Sequence, residues 1–241
     1  MSALLQARNI SRDFGALRAN RDISLDVQRG EIVGLIGPNG AGKSTFFNII
    51  AGAVAPSNGE VIFEGRNVTT MAPADRCRAG IARTFQVVRS FDSMDVVENV
   101  IVGSLLRTRE PREARRAACD VLDFVGLGPR AETRAADLTS PEKRRLELAR
   151  ALATRPKLLL LDEVMAGLTP TEARQGVELV KRVREQGITI IMVEHVMEIV
   201  MPLVDRAVVL DLGQLIAAGS PSEVIADPKV VAAYLGERKR A

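Results

Sequence analysis

The sequence predicts an α/β fold: a mostly parallel sheet covered by helices, carrying an antiparallel β subdomain and interrupted by a helical insertion. The clearest observation behind it is the pattern G-x-x-x-x-G-K-[ST], realised at Gly37, Gly42, Lys43 and Ser44, with an apolar strand-like run at 31–36 before it and a helix-like run at 45–51 after it. A second is Leu158-Leu159-Leu160-Leu161, apolar throughout and ending in Asp162-Glu163, as a parallel strand buried on both faces reads. A third is a change of period: two-residue alternation at 3–10, 22–28 and 59–64, then helical spacing from about Val96 to Ala153.

The loop spelled Gly37-Pro38-Asn39-Gly40-Ala41-Gly42-Lys43-Ser44-Thr45 carries the chemistry. Glycines let successive amides turn inward, and those amides together with the positive end of the following helix make a nest for phosphate oxygens. Asn39, Gly40, Ala41, Gly42 and Thr45 are the expected cradle. Lys43 adds a mobile charge for the outer phosphates, and the Ser44 hydroxyl suits Mg²⁺. The chain is expected to bind a nucleoside triphosphate.

The remaining elements follow in order. After the loop the chain reaches Ala82-Arg83-Thr84-Phe85-Gln86 and a polar turn with Ser90, Asp92 and Ser93. Val96, Val97, Val100 and Ile101 recur at helix spacing, as do Val121, Leu122 and Val125, while the arginine-rich stretch 107–116 reads as a solvated helix face or loop. Beyond Asp162 an alternating series is expected: helix 171–186, strand 188–193, helix 196–203 and strand 205–211, then a hairpin at Gly213 and two short helices from near Ser220 and Asp227. The whole of 1–241 reads as one domain, with 1–91 and 155–241 forming the nucleotide-binding core and 92–154 the helical subdomain.

Composition narrows the function classes. A net charge of +3, one Tyr, no Trp and seven Phe supply neither a basic footprint nor stacking surfaces, so no nucleic-acid partner is expected. The apolar runs are strand-length and far short of a membrane span. The N-terminus lacks a basic segment followed by an apolar one, so no secretory signal is expected. Cys77 and Cys119 are isolated and read as free thiols in a reducing compartment.

An apolar strand ending in acids, far downstream of a phosphate loop, suits phosphoryl transfer: Asp162 to hold Mg²⁺ and Glu163 to polarise the attacking water. With Gln86, with His195 after the run 188–193, and with Phe14 in Asp13-Phe14-Gly15, these residues make the chain resemble the ATP-binding subunit of an ABC transporter over nearly its full length. The resemblance implies a P-loop NTPase core of the ABC ATPase type, with ATP and Mg²⁺ as cofactors. It implies Gln86 as a γ-phosphate and Mg²⁺ sensor, His195 as a γ-phosphate switch, and Phe14 as the ring that stacks on adenine. For Phe14 a plain core position is the competing reading. The segments Ala82-Arg83-Thr84-Phe85-Gln86, Ala166-Gly167-Leu168-Thr169-Pro170 and Glu194-His195-Val196-Met197, with the ending around Tyr234, are similar to branched-chain amino-acid importer ATPases. The lipopolysaccharide-export ATPase shares much of the pattern.

The resemblance also implies partners: a second ATPase subunit, two membrane permeases, indirectly a periplasmic binding protein, and a peripheral place on the cytoplasmic face of the membrane. Phe91 and Met94 are candidates for the permease coupling groove, with ordinary core packing as the competing reading. One departure bears on this. Where the family's signature reads L-S-G-G-Q, the chain has Leu138-Thr139-Ser140-Pro141-Glu142. Thr139, which would act in trans, keeps the hydroxyl, but Pro141 has no N–H to offer a γ-phosphate and Glu142 adds negative charge. Thr139 and Glu142 also form a capping-box pattern, so the helix is still expected to start well. The departure favours an unequal heterodimer. Two further classes compete, a soluble ABC protein outside transport and a small-molecule kinase; the length and the helical insertion disfavour both.

Overall fold

A computed structural model describes residues 3–85, 89–194 and 197–237. Its centre is a six-stranded sheet ordered β10-β9-β3-β8-β7-β6. The strands are β3 (Ile32–Ile36), β6 (Ile81–Arg83), β7 (Leu158–Asp162), β8 (Thr189–Val193), β9 (Arg206–Asp211) and β10 (Gln214–Gly219), parallel except for the β9–β10 hairpin. Parity along these strands explains their unbroken apolar runs. Ile32, Ile36, Leu159, Leu161, Ile190 and Met192 face one core. The residues between them, Val33, Leu35, Leu158, Leu160, Ile191 and Val193, face another. A strand buried on both faces has no polar side to show.

The first core is closed by α3 (Val96–Ser104), α4 (Pro111–Val125), α5 (Ser140–Ala153) and α6 (Pro170–Glu185). The first three lie in the chain between β6 and β7, where the helical insertion is expected. The second core is closed by α1 (Lys43–Ala51) and by an antiparallel sheet ordered β2-β1-β4-β5. Its strands are β1 (Leu5–Phe14), β2 (Leu17–Val27), β4 (Asn58–Phe63) and β5 (Arg66–Asn67). β1 and β2 run longer than alternation predicts because their register shifts between Ala7 and Ile10, which resets which face each side chain takes.

Two short elements escape periodicity: β6, with three residues, and α2 (Pro73–Ala79). The segment 196–203 gives only a four-residue α7 (Met197–Val200) among the described residues. α8 (Pro221–Ala226) and α9 (Pro228–Glu237) follow the hairpin as expected. The arginine-rich stretch divides: Arg107 donates to the carbonyls of Thr154 (2.6 Å) and Arg78 (3.1 Å), and α4 starts at Pro111.

One fully buried cation organises the floor beneath the phosphate loop. Arg76 of α2 donates to the carbonyls of Ile49 and Ile50 (both 2.6 Å), Thr69 (2.8 Å) and Met71 (3.3 Å). It satisfies the last carbonyls of α1 and places positive charge at the negative end of that helix. Burial pushes its guanidinium down to about 10, still cationic at neutral pH. Arg76→Met strands these acceptors in an apolar interior and is expected to cost about 3 kcal/mol in urea unfolding.

Candidate nucleotide site

The parallel register brings distant segments to one edge. Leu35 pairs with Val193, and Val193 pairs with Asp162. The phosphate loop, the residues after β8 and the acidic pair therefore all leave the sheet at the carboxyl ends of adjacent strands, where α/β sheets bind ligands. Gly37, Gly40 and Gly42 have φ of 146°, 75° and 95°, values that favour glycine. At Gly42 the requirement is also spatial: a Cβ there would lie 2.3 Å from the Ala19 carbonyl oxygen. β2 and the β9–β10 turn fasten the loop from outside, since Asn20 Nδ2 donates to Gly42 O (3.1 Å) and Gly213 N–H to Ala41 O (3.1 Å). Lys43 is buried, and its ammonium donates to Gly37 O (2.6 Å) and Pro38 O (2.8 Å).

The loop opens into a cleft of about 650 Å³ whose other walls include Phe14, Arg18, Arg21, Glu163 and Leu212. Phe14 is 45% exposed, with the Arg12 guanidinium 4.5 Å from its ring centre. It is therefore no core residue; its ring lines the cleft with Arg12 over it. Asp162 is buried at the end of β7. Arg83 reaches it at 3.4 Å while donating to Asn48 Oδ1 of α1 at 2.6 Å. Glu163 has a φ of 50°, a strained conformation for its residue type. That peptide is held on both sides: its N–H donates to Val193 O (2.9 Å), and its carbonyl accepts from Arg144 Nη1 (2.9 Å).

The residues present fit Mg²⁺. Among the described residues no three His, Cys, Asp or Glu side chains cluster, which leaves no all-protein cage. One buried carboxylate and one hydroxyl, Asp162 and Ser44, would supply hard oxygens to a metal that otherwise keeps waters and phosphate oxygens. Gln86 and His195 lie outside the described residues.

The signature region forms the exposed N-terminus of α5, where Thr139 and Ser140 face solvent. Thr139 donates to the Glu142 carboxylate through both its N–H and its hydroxyl (both 2.9 Å), and Arg130 pairs with the same side chain at 3.3 Å. The Thr139 amide, chiefly, holds the Glu142 carboxyl below its ordinary range. The charge expected to oppose a phosphate is thus engaged within the chain. Thr169 likewise caps α6 through Glu172. Phe91 is exposed and lines an apolar groove with Phe85, Val102 and Leu106; Met94 does not line it, its carbonyl accepting from Ala135 N–H (3.0 Å).

Three functional-looking residues have little signal in the sequence. Glu194 is buried and accepts from Met165 N–H (2.8 Å), so it secures the chain just after the acidic pair. Arg83 touches Asp162 from a strand of three residues. Glu147, inside an amphipathic helix, accepts from Phe85 N–H at 3.0 Å, and burial pushes its carboxyl up to about 7 against the opposing pull of Arg150, Arg144 and Arg83. Only a charge at a core-facing helical position could have marked it.

Fold, loop and acidic strand end define a phosphate-loop nucleotide-binding ATPase. The family model described as "ABC transporter" matches residues 20–166, and one described as "Branched-chain amino acid ATP-binding cassette transporter" matches residues 214–240. The high-affinity branched-chain amino acid transport ATP-binding protein LivG of Salmonella typhimurium is 38% identical, over 97% of this chain and 98% of its own length. The lipopolysaccharide export ATP-binding protein LptB of Acidithiobacillus ferridurans is 34% identical over 99% of both chains. Among solved structures, the ADP conformation of MJ1267, an ATP-binding cassette of an ABC transporter, superposes with a TM-score of 0.89 at 32% identity, over 98% of this chain and all of that one. The chain belongs to the ABC transporter ATP-binding family.

Two outcomes test the site. Phe14→Ala is expected to weaken ATP binding by roughly 5- to 160-fold, the range of one base–aromatic stack, while inorganic tripolyphosphate binding stays within about twofold; calorimetry separates the two. For Glu147 the folded protein holds the proton more tightly than the unfolded chain. Its contribution is therefore most favourable below the ordinary value of 4.5 and declines as pH rises toward about 7. Glu147→Gln is expected to match the wild type in urea unfolding at pH 4.5 and to exceed it at pH 8.

Proposed function

We propose that this chain is the ATP-hydrolysing subunit of an importer for branched-chain or related amino acids. The convergence of the phosphate loop, Asp162 and Glu163 at one sheet edge carries the hydrolytic part. Asn39, Gly40, Ala41, Gly42, Lys43, Ser44 and Thr45 bind the phosphates, and Phe14 stacks on the base. Ser44, Asp162 and Gln86 hold Mg²⁺, which when bound neutralises phosphate charge. Glu163 accepts a proton from the attacking water, and His195 donates to the γ-phosphate. The branched-chain importer names of the relatives and the C-terminal family match at residues 214–240 support the substrate class. The LptB relative supports export as a second reading.

Permease subunits dock at the groove of Phe85 and Phe91, which puts the chain on the cytoplasmic face of the membrane. No helix among the described residues is long and apolar enough to cross one. The working unit is a heterodimer, because Pro141 removes an amide from the composite site that this chain completes in trans for its partner. Each site's remaining donors come from the other subunit's signature, so a homodimer would carry the defect twice. ATPase assays on the chain alone and on the pair co-expressed with its partner ATPase test this. Turnover is expected to rise at least tenfold in the pair and to fall at least 100-fold there with Glu163→Gln. Full turnover by the chain alone would overturn the heterodimer, and leucine uptake unaffected by loss of the chain would overturn the substrate class.

A further inference from the structure

A cavity of about 50 Å³ lies between α5, α6 and the segment that follows Glu163, outside the nucleotide cleft. Leu148, Leu161, Val164, Met165, Leu168 and Leu179 make its wall apolar, so water gains little by entering. Native interiors keep few voids larger than a water molecule. A water-sized group takes about 10–15 Å³ of such space, so roughly four fit here. Two features keep the space open. Gly176 of α6 contributes no side chain, and a Cβ there would lie 2.5 Å from Met165 Sδ. Met165 cannot retreat with its backbone, because its N–H donates to the buried Glu194 carboxylate at 2.8 Å. Its thioether is the adaptable part of the wall, suited to give way to an entering group.

Three charged side chains, Arg144, Arg145 and Glu172, complete the lining. Each has hydrogen-bonding capacity to spare. Arg144 spends Nη1 on Glu163 O (2.9 Å) and Arg145 spends Nη2 on Gln175 Oε1 (2.7 Å), a small part of either guanidinium fork. Glu172 takes both its bonds from Thr169 on Oε2, at 2.8 and 2.7 Å. Those bonds, with Arg145 nearby, hold its carboxyl below the ordinary range, so it is anionic at neutral pH. An apolar chamber beside two cations and one anion matches a small zwitterion with an aliphatic tail. We propose that this cavity is a binding site for a branched aliphatic α-amino acid such as leucine. Its side chain lies between α5 and α6, its carboxylate on Arg144 and Arg145, and its ammonium on Glu172. An isobutyl group matches the space, and a benzyl group exceeds it. The lining carries this assignment independently of what the chain's partners transport, and it holds equally for an importer or an exporter.

Calorimetry on the purified full chain without nucleotide tests the site. Leucine is expected to bind with a dissociation constant below about 1 mM, and glycine and phenylalanine roughly tenfold more weakly or worse. Glu172→Gln keeps an acceptor for the Thr169 amide, so α6 remains capped. It is expected to weaken leucine binding by roughly 10- to 160-fold, the loss of one charged partner. Isocaproate, which is leucine without its ammonium and binds more weakly throughout, is expected to stay within about twofold in that variant. Leu179→Phe fills the cavity from α6 and is expected to weaken leucine and isocaproate alike by about tenfold or more. Both variants are expected to bind ATP within about twofold of the wild type, which shows that they are folded. Where Leu179→Phe fails to fold, Glu172→Gln with the two ligands decides. No leucine binding at about 10 mM would overturn the site, as would phenylalanine binding as tightly as leucine. So would a Glu172→Gln chain that keeps its leucine affinity or loses leucine and isocaproate equally.

Discussion

The constraint on which this molecule depends is the in-register parallel alignment of β3, β8 and β7. Leu35, Val193 and Asp162 lie side by side in one row, so three loops far apart in sequence leave the sheet together. Strand spacing of about 4.8 Å then puts Asp162 roughly 10 Å across the sheet from the strand that feeds the phosphate loop. A slip of one residue in β7 would turn Asp162 toward the other core and expose Leu161 in its place. Apolar side chains on both faces of the sheet make such a slip costly, so the same burial that stabilises the domain holds the chemistry in place.

Much of this was legible in the sequence, for a reason that differs by element. The strands of the central sheet show as unbroken apolar runs because both their faces are covered, and the phosphate loop shows because only glycine adopts its backbone angles cheaply. The helical insertion shows by period. What stayed illegible is held by long-range contacts. β6 is three residues long and owes its existence to β7; α2 is set by Arg76 reaching the carbonyls of α1. Neither leaves a periodic trace.

How plainly the candidate site shows in the sequence differs by residue. Residues whose type is demanded by chemistry, such as Lys43, Ser44, Asp162 and Glu163, stand out in any reading. Phe14 had two readings, and its exposure removes the core one without testing the other. Glu142 illustrates the opposite difficulty: its charge is plain in the sequence, but its engagement by Thr139 and Arg130 depends on where a 3₁₀ turn places Arg130. Glu147 and Glu194 accept from backbone amides across gaps of 62 and 29 residues, which no local pattern records.

The parity of the central strands has a consequence for divergence within such a fold. Each strand interleaves two texts: Leu159 and Leu161 belong to the core closed by the helical insertion and α6, Leu158 and Leu160 to the core closed by α1 and the antiparallel sheet. A family can therefore rewrite the insertion that meets its membrane partners while leaving the layer behind the phosphate loop untouched. Two selective pressures can act on adjacent residues of one strand without interfering.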